Sequence, residues 1–119
     1  NNQTYSNIMY VAGSGVSSIT AIDTGLSFVA TASTKSNIIS LASSGSAGWL
    51  VLAAYAPGTK DCWIVVDQKA AQTATIAGNT NHATGTYYGV IKPTATPVAC
   101  TAAVGLGGSG FTSSGFPSG

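Results

Sequence analysis

The chain contains no glutamate and no arginine, and charged residues make up only 6% of its 119 positions, against about 25% in ordinary soluble proteins. Its four lysines (Lys35, Lys60, Lys69 and Lys92) are scattered, and the net charge is +1. Nucleic-acid binding needs clustered Lys and Arg, so no specific nucleic-acid partner is expected. The three carboxylates, Asp23, Asp61 and Asp67, and the one histidine, His82, are a thin stock for catalysis. Asp61 and Asp67 flank a single apolar run and stand about 20 Å apart if it is extended, too far for acid–base work on one bond. His82 lies in a Gly/Asn/Thr stretch with no ligand partner at motif spacing, so it reads as a solvated loop residue rather than a metal ligand. No phosphate loop and no nucleophile elbow is present. These shortages point to a protein that is not an enzyme and holds no cofactor and no metal.

Long hydrophobic runs are lacking too. The longest, residues 49–56, falls far short of the roughly 20 residues a membrane-crossing helix needs, so no membrane contact is expected from this chain alone. The chain begins Asn1-Asn2 rather than with Met and reads as a processed protein or a fragment. Helix formers are scarce, whereas Gly, Ser and Thr are abundant, so strands are expected in place of helices.

Apolar stretches at residues 5–11, 19–22, 26–32 and 37–42 fit short strands. The clearest runs are 49–55 and 62–66, which are apolar without alternation and so predict strands covered on both faces. Between them Pro57-Gly58 fits the middle of a type II turn, which predicts a central β-hairpin. Residues 68–71 allow one helical turn, 73–85 form a polar loop, and 86–91 make another strand. The fold class expected is mainly β: one domain over residues 1–119, built on a small antiparallel sheet. Residues 105–119 are a Gly/Ser-rich arm whose anchors are Phe111 and Phe116. Such an arm is ordered either by its own domain or by a neighbouring subunit.

Low charge also bears on association. A freely dissolved monomer normally keeps a charged surface. A surface of Ser, Thr, Asn, Gly and Ala offers little repulsion and suits a subunit packed against its own copies. The two cysteines, Cys62 and Cys100, lie 38 residues apart and not in a Cys-x-x-Cys pair, so they read as one structural disulfide formed outside the reducing cytosol. In the chain-entropy model a closed loop of that size contributes about 4 kcal/mol. Asn2-Gln3-Thr4 is an acceptor pattern that makes Asn2 a candidate glycosylation site.

One order of features is distinctive: Cys62-Trp63, Asp67, then Gly85-Thr86-Tyr87-Tyr88-Gly89, Cys100-Thr101-Ala102-Ala103 and Ser114-Gly115-Phe116-Pro117. It resembles the globular domain of bacterial type IV pilins, with residues 49–119 carrying most of the likeness. Asn1-Asn2-Gln3-Thr4-Tyr5 is similar to the stretch that follows the long pilin helix. The resemblance implies an antiparallel sheet packed on a helix, a Cys62–Cys100 loop-closing bridge and an intersubunit role for residues 105–119. The helix itself is absent from this sequence. That fits a truncated chain or, as the favoured expectation, a split pilin in which a short helical chain and a separate globular chain assemble without a covalent link.

The resulting expectation is a structural subunit of an extracellular, cell-surface filament, in contact with copies of itself and with a short hydrophobic helical chain or segment. Tyr5, Tyr10, Phe111 and Phe116 are the candidate interface residues. Two alternatives stand beside it: a secreted β-sandwich module that binds carbohydrate or a surface partner, and a minor pilin or pseudopilin. Exposure of Trp49 or Trp63 in a shallow groove favours the carbohydrate module, and burial of both counts against it.

Overall fold

A computed structural model describes residues 27–94 and 99–117. The expected stretches at 5–11 and 19–22, together with Asn2, Tyr5 and Tyr10, lie outside the described residues. Within them the protein is mainly β, with six strands and no helix among the described residues. The strands are β1 (Ser27–Val29), β2 (Ile38–Ser44), β3 (Trp49–Ala56), β4 (Asp61–Gln68), β5 (Gly85–Ile91) and β6 (Ser109–Thr112). They form one sheet in the order β1-β2-β3-β4-β5-β6. Neighbours from β2 to β6 pair antiparallel, but β1 runs parallel to β2, so the sheet is mixed rather than wholly antiparallel. The return from β1 to β2 is anchored at Ser33, whose N–H donates to the Cys100 carbonyl at 2.9 Å and whose Oγ accepts from Tyr55 N–H at 2.9 Å.

The hairpin expected at the centre is there, longer at both ends. Ala56 pairs with Asp61 and Trp49 with Gln68. Its turn differs from the Pro-Gly expectation: Gly58 keeps a negative φ, and the left-handed residue is Lys60 at φ 63°. A hydrogen bond of 2.7 Å from Lys60 N–H to the Ala56 carbonyl closes a loop of residues 57–60, one residue wider than a type II turn. No helical turn forms at 68–71, because Gln68 is the last residue of β4 and its side chain is drawn into the interior.

The two strands are not equally covered on both faces. Alternate residues of β3 and β4 differ in burial: Val51, Ala53, Ile64 and Val66 are fully buried, whereas Leu52, Ala54, Trp63 and Val65 are only partly so. Successive strand residues point to opposite faces, so the pattern separates a closed face from a more open one. Two chain segments build the closed face. The first, residues 69–84, brings Ile76 and Ala77 onto the sheet. The second follows Cys100 and adds Ala102 and Leu106. Cys62 and Cys100 form the disulfide, Cα–Cα 5.5 Å, which fixes the start of that second segment against β4.

Hydrogen bonds then carry the second segment across the sheet. Ala102 N–H donates to the buried Ser40 Oγ at 2.8 Å, Ala77 N–H to the Val104 carbonyl at 2.7 Å, and Gly108 N–H to the Ala77 carbonyl at 3.0 Å. Glycines make the close approach feasible. A Cβ on Gly78, whose φ is +90°, would lie 2.1 Å from the Gly108 carbonyl oxygen, and one on Gly89 would lie 2.6 Å from the Phe111 ring. Within the C-terminal arm, residues 109–112 pair with β5 as β6, and Phe111 packs against the core of the same domain.

Candidate docking face

Register defines the open face row by row. Phe28, Ile39, Ala54, Trp63 and Val90 follow one another across the sheet. Leu41, Leu52, Val65 and Tyr88 form the next row, and Ser43, Leu50, Asp67 and Thr86 the third. The first two rows carry no charged side chain. Phe28, Leu41 and Leu50 are buried and form a second apolar cluster, against which Ile39 and Leu52 pack. The centre of the face is a groove of about 240 Å³ walled by Leu52, Ala54, Trp63 and Val65, with Phe28 and Ile39 at one side and Phe116 at the other. Every residue lining it is apolar.

The aromatic end is arranged edge to face. The Phe116 ring stands 5.3 Å from Trp63 at 76° and 5.0 Å from Tyr88 at 70°. Lys92 Nζ lies 5.7 Å from the Trp63 ring centroid and 3.6 Å from Asp61. Its charge thus stays at the groove's end, held by a carboxylate that is itself buried. Asp67 lies at the far end, where Thr86 Oγ1 donates to it at 3.0 Å and Lys69 approaches to 3.5 Å. The two carboxylates therefore occupy opposite ends of β4 and act on different partners.

Phe116 is half exposed, whereas Phe111 is partly buried against the core of the closed face. The two expected arm anchors thus lie on opposite sides of the sheet. Trp49 packs at the closed core, and Trp63 lines the groove. His82 is exposed in the loop before β5, where its carbonyl accepts from Gln72 N–H at 2.8 Å. Among the described residues no three His, Cys, Asp or Glu side chains converge. A second cleft of about 280 Å³ adjoins the disulfide between Tyr55, Ile91 and Lys60, with Lys92 on its rim. One of its two lysines is already engaged with Asp61.

A buried amide network was not anticipated from the sequence. Gln68 and Asn79 are 1% and 0% exposed. Gln68 Nε2 donates to the carbonyls of Asn81 (3.1 Å) and Ala83 (2.8 Å), and its Oε1 accepts from Asn79 Nδ2 at 3.0 Å. Asn79 Oδ1 accepts from Asn81 N–H at 3.1 Å and from Asn81 Nδ2 at 2.8 Å. Each polar group has a partner, as burial demands, and the network holds the long loop against the closed face. Its signal is faint: a Gln at the end of an apolar strand and an Asn-rich loop 11 residues on. Among the described residues no helix is long and apolar enough to cross a membrane. No known protein family, curated protein or solved structure matches this chain.

Proposed function

We propose that this protein is a structural subunit of an extracellular type IV pilus-like filament, and that its open sheet face docks on a short apolar helix supplied by another chain or segment. The observation that carries the reading is the groove over β3 and β4, whose lining is entirely apolar. Its opposite face is already closed by the subunit's own loops. An apolar face exposed on a free monomer is an association liability, and covering it on docking turns that liability into binding energy. A helix suits the shape, because an apolar stripe at helical spacing fits a shallow apolar trough without bringing polar backbone groups that need partners. The disulfide is consistent with a cell-surface location. Repeated heterologous contacts between such subunits extend into a helical fibre wherever they do not close a ring.

The carbohydrate-module reading draws on Trp63, which lines a shallow groove as that reading requires. Against it stands the lining. Sugar hydroxyls taken from water need hydrogen-bond partners, and the residues around Trp63 in the groove (Leu52, Ala54, Val65, Phe116) offer none from their side chains. Electron microscopy of the protein purified with its native partners separates the readings. Fibres containing this chain and a helical pilin segment support the filament. A monodisperse monomer that joins no fibre removes it. Glycan binding by that monomer, lost on Trp63→Ala, establishes the alternative.

A further inference from the structure

We infer that residues 113–117 are a strap across the open face and that Phe116 is its displaceable latch, closing one end of the groove until a partner takes its place. The nature of that partner, an apolar helix, rests on the docking reading above; the latch itself rests on the geometry of the arm.

The arm changes sides of the sheet within a few residues. Phe111 belongs to the closed face, where its ring lies against Gly89, and Phe116 belongs to the open one. The chain rounds the β6 edge through Gly110 at φ 68° and Gly115 at φ 137°, backbone conformations that favour glycine. A local turn sets the path: Thr112 Oγ1 donates to the Gly115 carbonyl at 2.8 Å, and Ser114 N–H donates back to Thr112 Oγ1 at 3.3 Å. Among the described residues, the hydrogen bonds of residues 113–117 are confined to this turn and its threonine. The strap's ring contacts with the open face are those of Phe116, while Pro117 lies beside Gly110 of β6.

That contact is of an exchangeable kind. The ring meets Trp63 and Tyr88 edge to face and remains 50% exposed, so about half its surface still faces water. An incoming apolar side chain that covers Trp63 and Tyr88 replaces what Phe116 gave them, and no backbone hydrogen bond between strap and sheet need break. Phe111 behaves differently: its ring fills the space above Gly89, and β6 ties its backbone to β5. The arm thus has a fixed root at Phe111 and a releasable tip at Phe116.

The test uses the intact chain and the apolar dye anilinonaphthalene sulfonate. Phe116→Ala is expected to take up the dye several-fold more strongly than wild type, with the urea midpoint and near-UV circular dichroism of a folded protein. Unchanged dye uptake in a folded Phe116→Ala protein overturns the latch. If that variant does not fold, wild type decides the matter: nuclear Overhauser contacts between Phe116 and Trp63 should fade as dye is added, and their persistence at dye saturation overturns the proposal. The docking reading fails separately. Increased dye uptake in a chain that enters no fibre leaves the latch and removes the docking. Wild-type fibres that retain the Phe116–Trp63 contact remove the latch and leave the docking.

Discussion

The two faces of this sheet are made by alternate residues of the same strands, yet among the described residues loops close one of them, while the other keeps a groove lined by apolar side chains. The closed face is rich in small residues where other chain segments arrive. Gly89 lies under Phe111, Ser40 takes the Ala102 N–H, and Gly78 meets Gly108 backbone to backbone. Small residues let loops descend to van der Waals contact, and the disulfide and the amide network keep them there. The open face carries larger side chains in its first two rows, from Phe28 and Leu41 to Trp63 and Tyr88. Side chains of that size hold a covering element at a distance, as when sheets or helices pack about 10 Å away. The contrast teaches that apolar residues alone do not identify the core of a domain. What separates the faces is whether the chain supplies small residues and polar partners that seat a cover.

The largest expected effect concerns the tie on the closed face. Reducing the Cys62–Cys100 bridge should cost about 4 kcal/mol of unfolding free energy, read as a fall in the urea midpoint. An unchanged midpoint would mean that residues 100–108 hold to the sheet without it. Next, neighbouring residues of β4 compare the faces directly. Ile64→Ala, fully buried on the closed face, should cost about 3 kcal/mol, and Val65→Ala, partly exposed on the open face, about 1 kcal/mol. Equal losses in chemical denaturation would erase the distinction between the faces.

Asn79→Ala should cost about 2 kcal/mol, because it leaves the Gln68 Oε1 and the Asn81 groups without their buried partner. Amide hydrogen exchange should rise first across residues 72–84, and a uniform rise over the whole sheet would contradict a local role. The smallest effect belongs to the hairpin turn. Gly58 has open space around its α-carbon and a negative φ, so Gly58→Ala should be neutral or stabilising by about 0.5 kcal/mol. A clear loss in thermal unfolding would show that Gly58 needs the left-handed conformation after all.

These contrasts also mark what the sequence makes legible. The hairpin of β3 and β4 is readable because the apolar runs 49–55 and 62–66 flank a turn. Its ends are not, because Asp61 and Gln68 look like boundaries and are instead buried members of β4. The apolar runs predict cover on both faces, since apolar residues on a covered face and along an apolar groove look alike in sequence. Strand β6 is hidden in Ser109-Gly110-Phe111-Thr112, where two strand formers stand in a Gly/Ser-rich stretch and the pairing with β5 makes the strand. The left-handed residue of the turn falls on Lys60, two positions past the glycine that local chemistry favours, because the Ala56–Asp61 pairing sets the loop length. The disulfide is readable from its two cysteines, but the segment it guides across the closed face depends on long-range hydrogen bonds that no local pattern announces.

On the proposed reading the open face, and not the closed one, meets an apolar helix in a filament. Val65 sits in the middle of the groove and is only partly buried, so a carboxylate there can stay hydrated in the monomer. The direct measurement is the incorporation of Val65→Asp subunits into fibres, quantified by electron microscopy against wild type at matched subunit levels. The account predicts a monomer that stays folded, with a urea midpoint lowered at least as far as that of Val65→Ala, and that is excluded from fibres, because docking would strand the charge in an apolar contact. Incorporation at the wild-type level would contradict it.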